Sequence, residues 1–127
     1  MADRLFGVET EYAVSAVGTR GTRADQGALL DALMARARAG LPHLSDAHSS
    51  GIFLQNGARF YVDAGGHPEF TTPECTSPAE AVRFVRAGEA ILLQLTNGAP
   101  LVPETETSVY RSNVDYSGTG STWGCHE

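Results

Sequence analysis

The chain has 127 residues, 42% of them hydrophobic and 19% charged, with a net charge of −6, enough for one domain with a modest core and not for two. No basic stripe is present to neutralise phosphates, which argues against a nucleic-acid partner, and no apolar run approaches the length of a membrane span. The opening MADRLFGVETEY lacks the apolar segment and cleavage site of a secretory signal, so the two cysteines, Cys75 and Cys125, are expected as reduced thiols in a cytoplasmic protein.

Residues 5–15 alternate in polarity. Phe6, Val8, Tyr12 and Val14 share one face with Thr10 between them, while Glu9 and Glu11 share the other, which predicts a strand with an apolar underside and an acidic top. After a polar Gly/Thr/Arg loop, Asp25 is placed to cap a short helix with Leu29, Leu30, Leu33, Met34 and Ala37 as its buried stripe. Gly40 and Pro42 stop it, and residues 43–51 read as a loop. Residues 52–63 read as two strand pieces joined through Asn56-Gly57. Ser77-Pro78-Ala79-Glu80 combines an N-cap Ser, a Pro at the first helical position and a Glu three residues after the cap. Ala81, Val85, Gly88, Leu92 and Leu95 then keep helical spacing as far as Asn97-Gly98. Residues 107–114 read as a further strand, and a Gly/Ser/Thr-rich stretch leads to Cys125-His126-Glu127. This order predicts an α+β fold across residues 1–127: an antiparallel sheet with helices on one face, its other face polar and carrying the chemistry.

The chemistry concentrates between residues 53 and 75. In the ARFYVD strand Arg59, Tyr61 and Asp63 point one way and Phe60 and Val62 the other. Glu69 and Glu74 follow a Gly-Gly turn and a His-Pro. Carboxylates for a hard cation and an Arg for phosphate oxygens suit a metal-phosphate site. Glu9 and Glu11 taken alone read as a solvated strand face. Beside Tyr61, Asp63 and Glu69 they read differently, because like charges facing one another across a sheet are costly without a cation between them. Mg²⁺ is the simplest candidate. Arg59 has the planar fork that binds two phosphate oxygens at once, and Tyr61 gains interest only from its place between Arg59 and Asp63. His67-Pro68 reads as a turn device. A zinc site from His67, Cys75, Cys125 and His126 is disfavoured, since their spacing matches no zinc pattern. The glycines of SGTGSTWG contain no phosphate-loop signature.

Four motifs in order, GVETEY, NGARFYVD, GGHPEFTTPEC and SNVDYSGTGSTWGCHE, closely resemble the Pup ligase/depupylase family of carboxylate-amine ligases. These enzymes attach or remove the prokaryotic ubiquitin-like protein Pup on a glutamine-synthetase-type nucleotide-binding sheet. The resemblance implies ATP and Mg²⁺ as cofactors, with Glu9, Tyr61 and Glu69 at the magnesium site, Arg59 and Thr72 as ATP contacts and Asp63 as the catalytic residue. It implies Pup and lysine-bearing proteins as partners. The short segment between the first helix and the NGAR strand favours the ligase, which joins the C-terminal Glu of Pup to lysines through a γ-glutamyl phosphate. A depupylase or Pup deamidase, and a truncated homologue that only binds nucleotide or Pup, are the alternatives. Family members run further past GCHE, so the expectation is the N-terminal part of a catalytic domain, with a complementing chain as a further partner.

Overall fold

The computed structural model describes residues 4–45, 51–111, 114, 118, 120 and 122–127. Asp25, in extended backbone, caps helix α1 (Gln26–Gly40), its Oδ1 accepting the Ala28 N–H at 2.9 Å. Helix α2 (Pro78–Thr96) opens on Ser77, whose Oγ accepts the Glu80 N–H at 3.3 Å, with Pro78 in the first turn. The Glu80 carboxylate reaches one residue beyond the expected capping box, accepting the N–H of Thr76 at 2.8 Å and its hydroxyl at 3.0 Å. Arg36 of α1 donates to the carbonyls of Leu95 at 2.9 Å and Pro100 at 3.2 Å. It thereby satisfies an acceptor left open by the last turn of α2 and ties the helices together.

Eight strands are formed among the described residues: β1 (Glu9–Glu11), β2 (Ala13–Gly18), β3 (His43–Ser45), β4 (Ile52–Leu54), β5 (Arg59–Val62), β6 (Pro68–Thr71), β7 (Thr105–Tyr110) and β8 (Cys125–His126). Six form one antiparallel sheet in the order β3-β4-β5-β6-β1-β8, and β2 pairs with β7 in a separate ribbon. The β4–β5 hairpin turns where Asn56-Gly57 predicts. Gly57 adopts φ 84°, a region L side chains avoid, and the Asn56 carboxamide accepts the Ala58 N–H at 3.0 Å.

Three expectations need correction. The strand over 5–15 is not one strand: β1 joins the large sheet, and β2 leaves it for the ribbon with β7. The handover falls at Tyr12, whose N–H goes to the Pro68 carbonyl at 2.8 Å. The buried side nevertheless runs on through Thr10, Tyr12, Val14 and Ala16, so the alternation is right although the sheet changes. The loop over 43–51 contains the edge strand β3, held by pairing with β4; three residues are too few for a period to announce them. The strand expected at 107–114 spans Thr105–Tyr110 instead, because β2 supplies partners for those residues, and Val114 sits in an isolated bridge to Thr122. Residues 112 and 113 of that expected strand, and 115–117, 119 and 121 of the expected glycine-rich stretch, lie outside the described residues.

Both helices pack on the apolar side. Ile52, Leu54, Phe60 and Phe70 of the sheet meet Leu29, Leu33, Met34 and Ala37 of α1 and Leu92 and Leu95 of α2. Burial of each large side chain contributes about 1.5–3 kcal/mol. Gly88 lets α2 lie against β6, since a Cβ there would overlap the Phe70 ring. The opposite face of the sheet carries the polar side chains of β1, β5 and β6.

Candidate active site

Directly opposed residues of antiparallel strands point to the same side of the sheet. The register opposes Tyr61 to Glu69 and Glu69 to Glu11 in one row across β5, β6 and β1. In the next row it opposes Arg59 to Thr71, Thr71 to Glu9 and Glu9 to His126. Arg59, Tyr61, Glu69, Glu9 and Glu11 therefore share the polar face, with Asp63 at the end of β5 beside them. Phe60 and Phe70 are buried on the other side.

Glu69 is the centre of this face. It is only 4% exposed, and burial holds its carboxyl above the usual carboxylate range. A hydrogen bond from Tyr61 works against that rise, and the charges of Glu9, Glu11 and Asp63 add to it. Tyr61 is pushed up to about 12 by burial first. The Thr71 hydroxyl opposes the shift, and the Glu69 and Glu9 carboxylates reinforce it. Its phenol is thus a neutral donor at physiological pH. The Arg59 guanidinium lies 4.1 Å from the Tyr61 ring centroid and 5.6 Å from that of Phe53, a cation–π arrangement that keeps it on this side.

Asp63 is fixed by its own turn. Its Oδ1 accepts the His67 N–H at 2.6 Å, its N–H donates to the His67 carbonyl at 3.0 Å, and Gly66 supplies φ 79°. A Cβ on Gly65 would crowd Asp63 Oδ2 and the His67 ring. The imidazole Nδ1 of His67 sits 3.1 Å from Glu11 Oε2 and 3.8 Å from Asp63 Oδ2. Among the described residues, Glu11, Asp63 and His67 form the group whose ligand atoms all lie within 4.8 Å of one another. Sequence reasoning left Glu11 without a role and gave His67 to the turn. Period-two alternation already put Glu11 on the acidic face. The fold of the turn back onto β1 has no short-range signal.

Gly124 and Trp123, also unforeseen, close the site from the far end of the chain. The Gly124 N–H donates to Glu11 Oε2 at 2.8 Å, and the Trp123 ring lies 5.4 Å from that of His67. Thr72 is not on the polar face with the others. It is buried, and its Oγ1 accepts the Val8 N–H at 3.0 Å and donates to the Pro73 carbonyl at 2.9 Å. Glu74 is exposed. Cys75 and Cys125 are unpaired, the first fully buried with its Sγ on the Pro73 carbonyl and the second exposed. The Zn-competent residues are therefore not gathered.

Fold and site define an α+β protein whose antiparallel sheet carries a carboxylate cluster on its polar face. The family model described as Pup-ligase protein matches residues 4–127, and the chain belongs to that family. The chain is 36% identical over 132 residues to a Pup–protein ligase of Corynebacterium diphtheriae, covering 98% of this chain and 26% of that protein. It is 34% identical over 132 residues to a Pup–protein ligase of Acidimicrobium ferrooxidans, covering 100% of this chain and 27% of that one. It thus spans about a quarter of the length of these curated relatives. Among solved structures, the complex between the prokaryotic ubiquitin-like protein Pup and its ligase PafA matches with a TM-score of 0.74 at 24% identity. That match covers 97% of this chain and 24% of the other, and the likeness speaks for the fold. No helix among the described residues is long and apolar enough to cross a membrane.

Proposed function

We propose that this chain forms the magnesium–nucleotide face of a Pup–protein ligase, which joins the C-terminal Glu of Pup to lysines of target proteins at the expense of ATP. The observation that carries the reading is the buried carboxylate of Glu69 set among those of Glu9, Glu11 and Asp63. Such a donor set fits a hard cation, which would offset the like charges the face brings together. Relatives named as Pup–protein ligases support the choice of reaction.

Glu9, Glu69 and the Tyr61 hydroxyl would hold Mg²⁺, which when bound offsets the charge of a triphosphate. The remaining work falls to the chain's own side chains. Arg59 offers its fork to the phosphoryl oxygens as the γ-carboxylate of the C-terminal Glu of Pup is phosphorylated. Asp63, held by the His67 N–H, accepts the proton of the incoming lysine ammonium. The freed amine attacks the acyl phosphate, the isopeptide bond forms and phosphate departs. Thr72 would bear on the nucleotide through the backbone it anchors at Val8.

Calorimetric titration of the chain with Mg-ATP tests the reading. Binding that requires Mg²⁺ and is lost in Glu69→Gln supports it, and absence of Mg-dependent nucleotide binding overturns it. Incubation with Pup ending in Gln separates the reactions. Conversion to Glu without ADP release would replace the ligase by the deamidase of the same family. Nucleotide binding with no ADP formed in the presence of Pup and an acceptor would leave a chain that binds without turnover.

A further inference from the structure

The underside of the strand pair β1–β8 holds a polar corner that the reaction proposed above does not use. Thr10 and Cys125 are directly opposed there, so both side chains point to the helix side of the sheet. Thr10 is 2% exposed, and Tyr12, next along the same buried side, is 3% exposed. Among the described residues neither hydroxyl has a hydrogen-bond partner, although burying an unpaired hydroxyl is costly. Buried orphans of this kind are rare, and two in succession beside one thiol mark a place that lacks an acceptor. Arg111, just past β7, closes the corner. Its guanidinium donates to Glu89 Oε1 of α2 at 2.6 Å and also reaches the Cys125 thiol. Burial pushes the Tyr12 phenol up, with Arg111 opposing the rise and Glu89 and Cys125 adding to it, so it stays an O–H donor at neutral pH.

We propose that Cys125 is a site of reversible oxidation by hydrogen peroxide, the oxygen of its sulfenic acid seated on the Thr10 and Tyr12 hydroxyls beside Arg111. The thiolate sulfur attacks one peroxide oxygen. A sulfur–oxygen bond forms as the oxygen–oxygen bond breaks, the sulfur gives up two electrons, and the leaving hydroxide takes a proton from solvent to become water. The new oxygen is the acceptor that the two hydroxyls lack. An external thiol reverses the change: it condenses with the sulfenic acid to a mixed disulfide and water, and a second thiol frees Cys125. Cys125 is exposed, whereas Cys75 is fully buried against the Pro73 carbonyl and closed to peroxide. The neighbours of Cys125 in the chain reach the opposite face. The Gly124 N–H donates to Glu11 Oε2 at 2.8 Å, and His126 Nδ1 lies 3.4 Å from Glu9 Oε2. Seating the oxygen therefore pins β8 to β1 and, through these two contacts, steadies both acids of β1.

The test is brief exposure of the chain to hydrogen peroxide, removal of the excess, capture of sulfenic acid with dimedone, and peptide mass spectrometry. The adduct is expected on Cys125 and not on Cys75. Thr10→Val combined with Tyr12→Phe should cut its yield about ten-fold or more, the loss of two ordinary hydrogen bonds, while Thr10→Ser should keep the wild-type yield. If the double variant does not fold, Thr10→Val alone carries the comparison, with a smaller cut expected. Hydrogen exchange at the Gly124 amide should slow in the oxidised wild type and stay unchanged in peroxide-treated Cys125→Ser. An adduct confined to Cys75, equal yields on Cys125 in wild type and the hydroxyl variants, or faster exchange at Gly124 after oxidation would overturn the proposal.

Discussion

Asp63 has two duties that substitution separates. Its Oδ1 closes the turn by accepting the His67 N–H, and in the proposed mechanism its other oxygen takes the lysine proton. Asp63→Asn keeps an acceptor for the turn and loses the proton acceptor. Isopeptide formation should fall by about 10²-fold or more with the melting temperature nearly unchanged. Asp63→Ala should also melt lower, by about 1 kcal/mol for the lost hydrogen bond. A fall in melting temperature for Asn as large as that for Ala would contradict the division. Glu69 gives a pH signature. The folded state holds its proton more tightly than the unfolded chain does, so in the absence of metal stability falls as pH rises from the ordinary carboxylate value through the raised folded one. Glu69→Gln removes that slope. It should match wild type in acid and melt higher at neutral pH by on the order of 1 kcal/mol, a few degrees, a gap that thermal melts at several pH values would measure. Tyr61→Phe should remove a phenol that titrates near 12 from the ultraviolet pH profile.

Helix α2 carries two element-scale tests with opposite lessons. Ser77→Ala removes the cap on the Glu80 N–H and should cost about 1 kcal/mol. Helix propensity would make Gly88→Ala stabilising by roughly 1 kcal/mol. Contact with Phe70 of β6 reverses the sign, to a loss of about 1–3 kcal/mol from overpacking in denaturant melts. The contrast shows what a sequence discloses. Caps, turn dipeptides and alternation are local chemistry, so α1, α2, the Asn56-Gly57 hairpin and the facing of Arg59, Tyr61 and Asp63 are legible in the residues themselves. The close approach of Gly88 is not, since it depends on a residue eighteen positions earlier. The split of residues 5–15 into β1 and β2 is hidden for the same reason: alternation shows which side is buried and is silent on which strand lies alongside. The meeting of Glu11 with His67 escapes a reading of local pattern because it requires β6 to lie against β1. The burial of Thr72 away from the polar face is equally silent, because a resemblance of motifs carries no orientation.

For the molecule as a whole, the polar face and the packed face are tied through the same strands, so occupying one should stabilise both. Saturating Mg-ATP at about a hundred times its dissociation constant should raise stability by about 2.7 kcal/mol, read as a thermal shift. Mg²⁺-dependent shifts should vanish when Glu9 and Glu69 are both changed to Gln, and a shift that survives this pair would place the ion elsewhere. The hollows at the β2–β7 ribbon, lined by residues such as Gly18, Glu104 and Thr105, lie off this face and should be indifferent to the nucleotide.

Strand order has a kinetic corollary. Strands β3 through β6 are sequential hairpins and zip from near neighbours, whereas β1 pairs with β6 from some sixty positions away, a closure that comes late when loop entropy governs the path. Before that step a partly folded chain possesses Asp63 and Glu69 and lacks both acids of β1. On the proposed magnesium reading, cation affinity would then appear only once the distant strand docks, and the ion would report that docking.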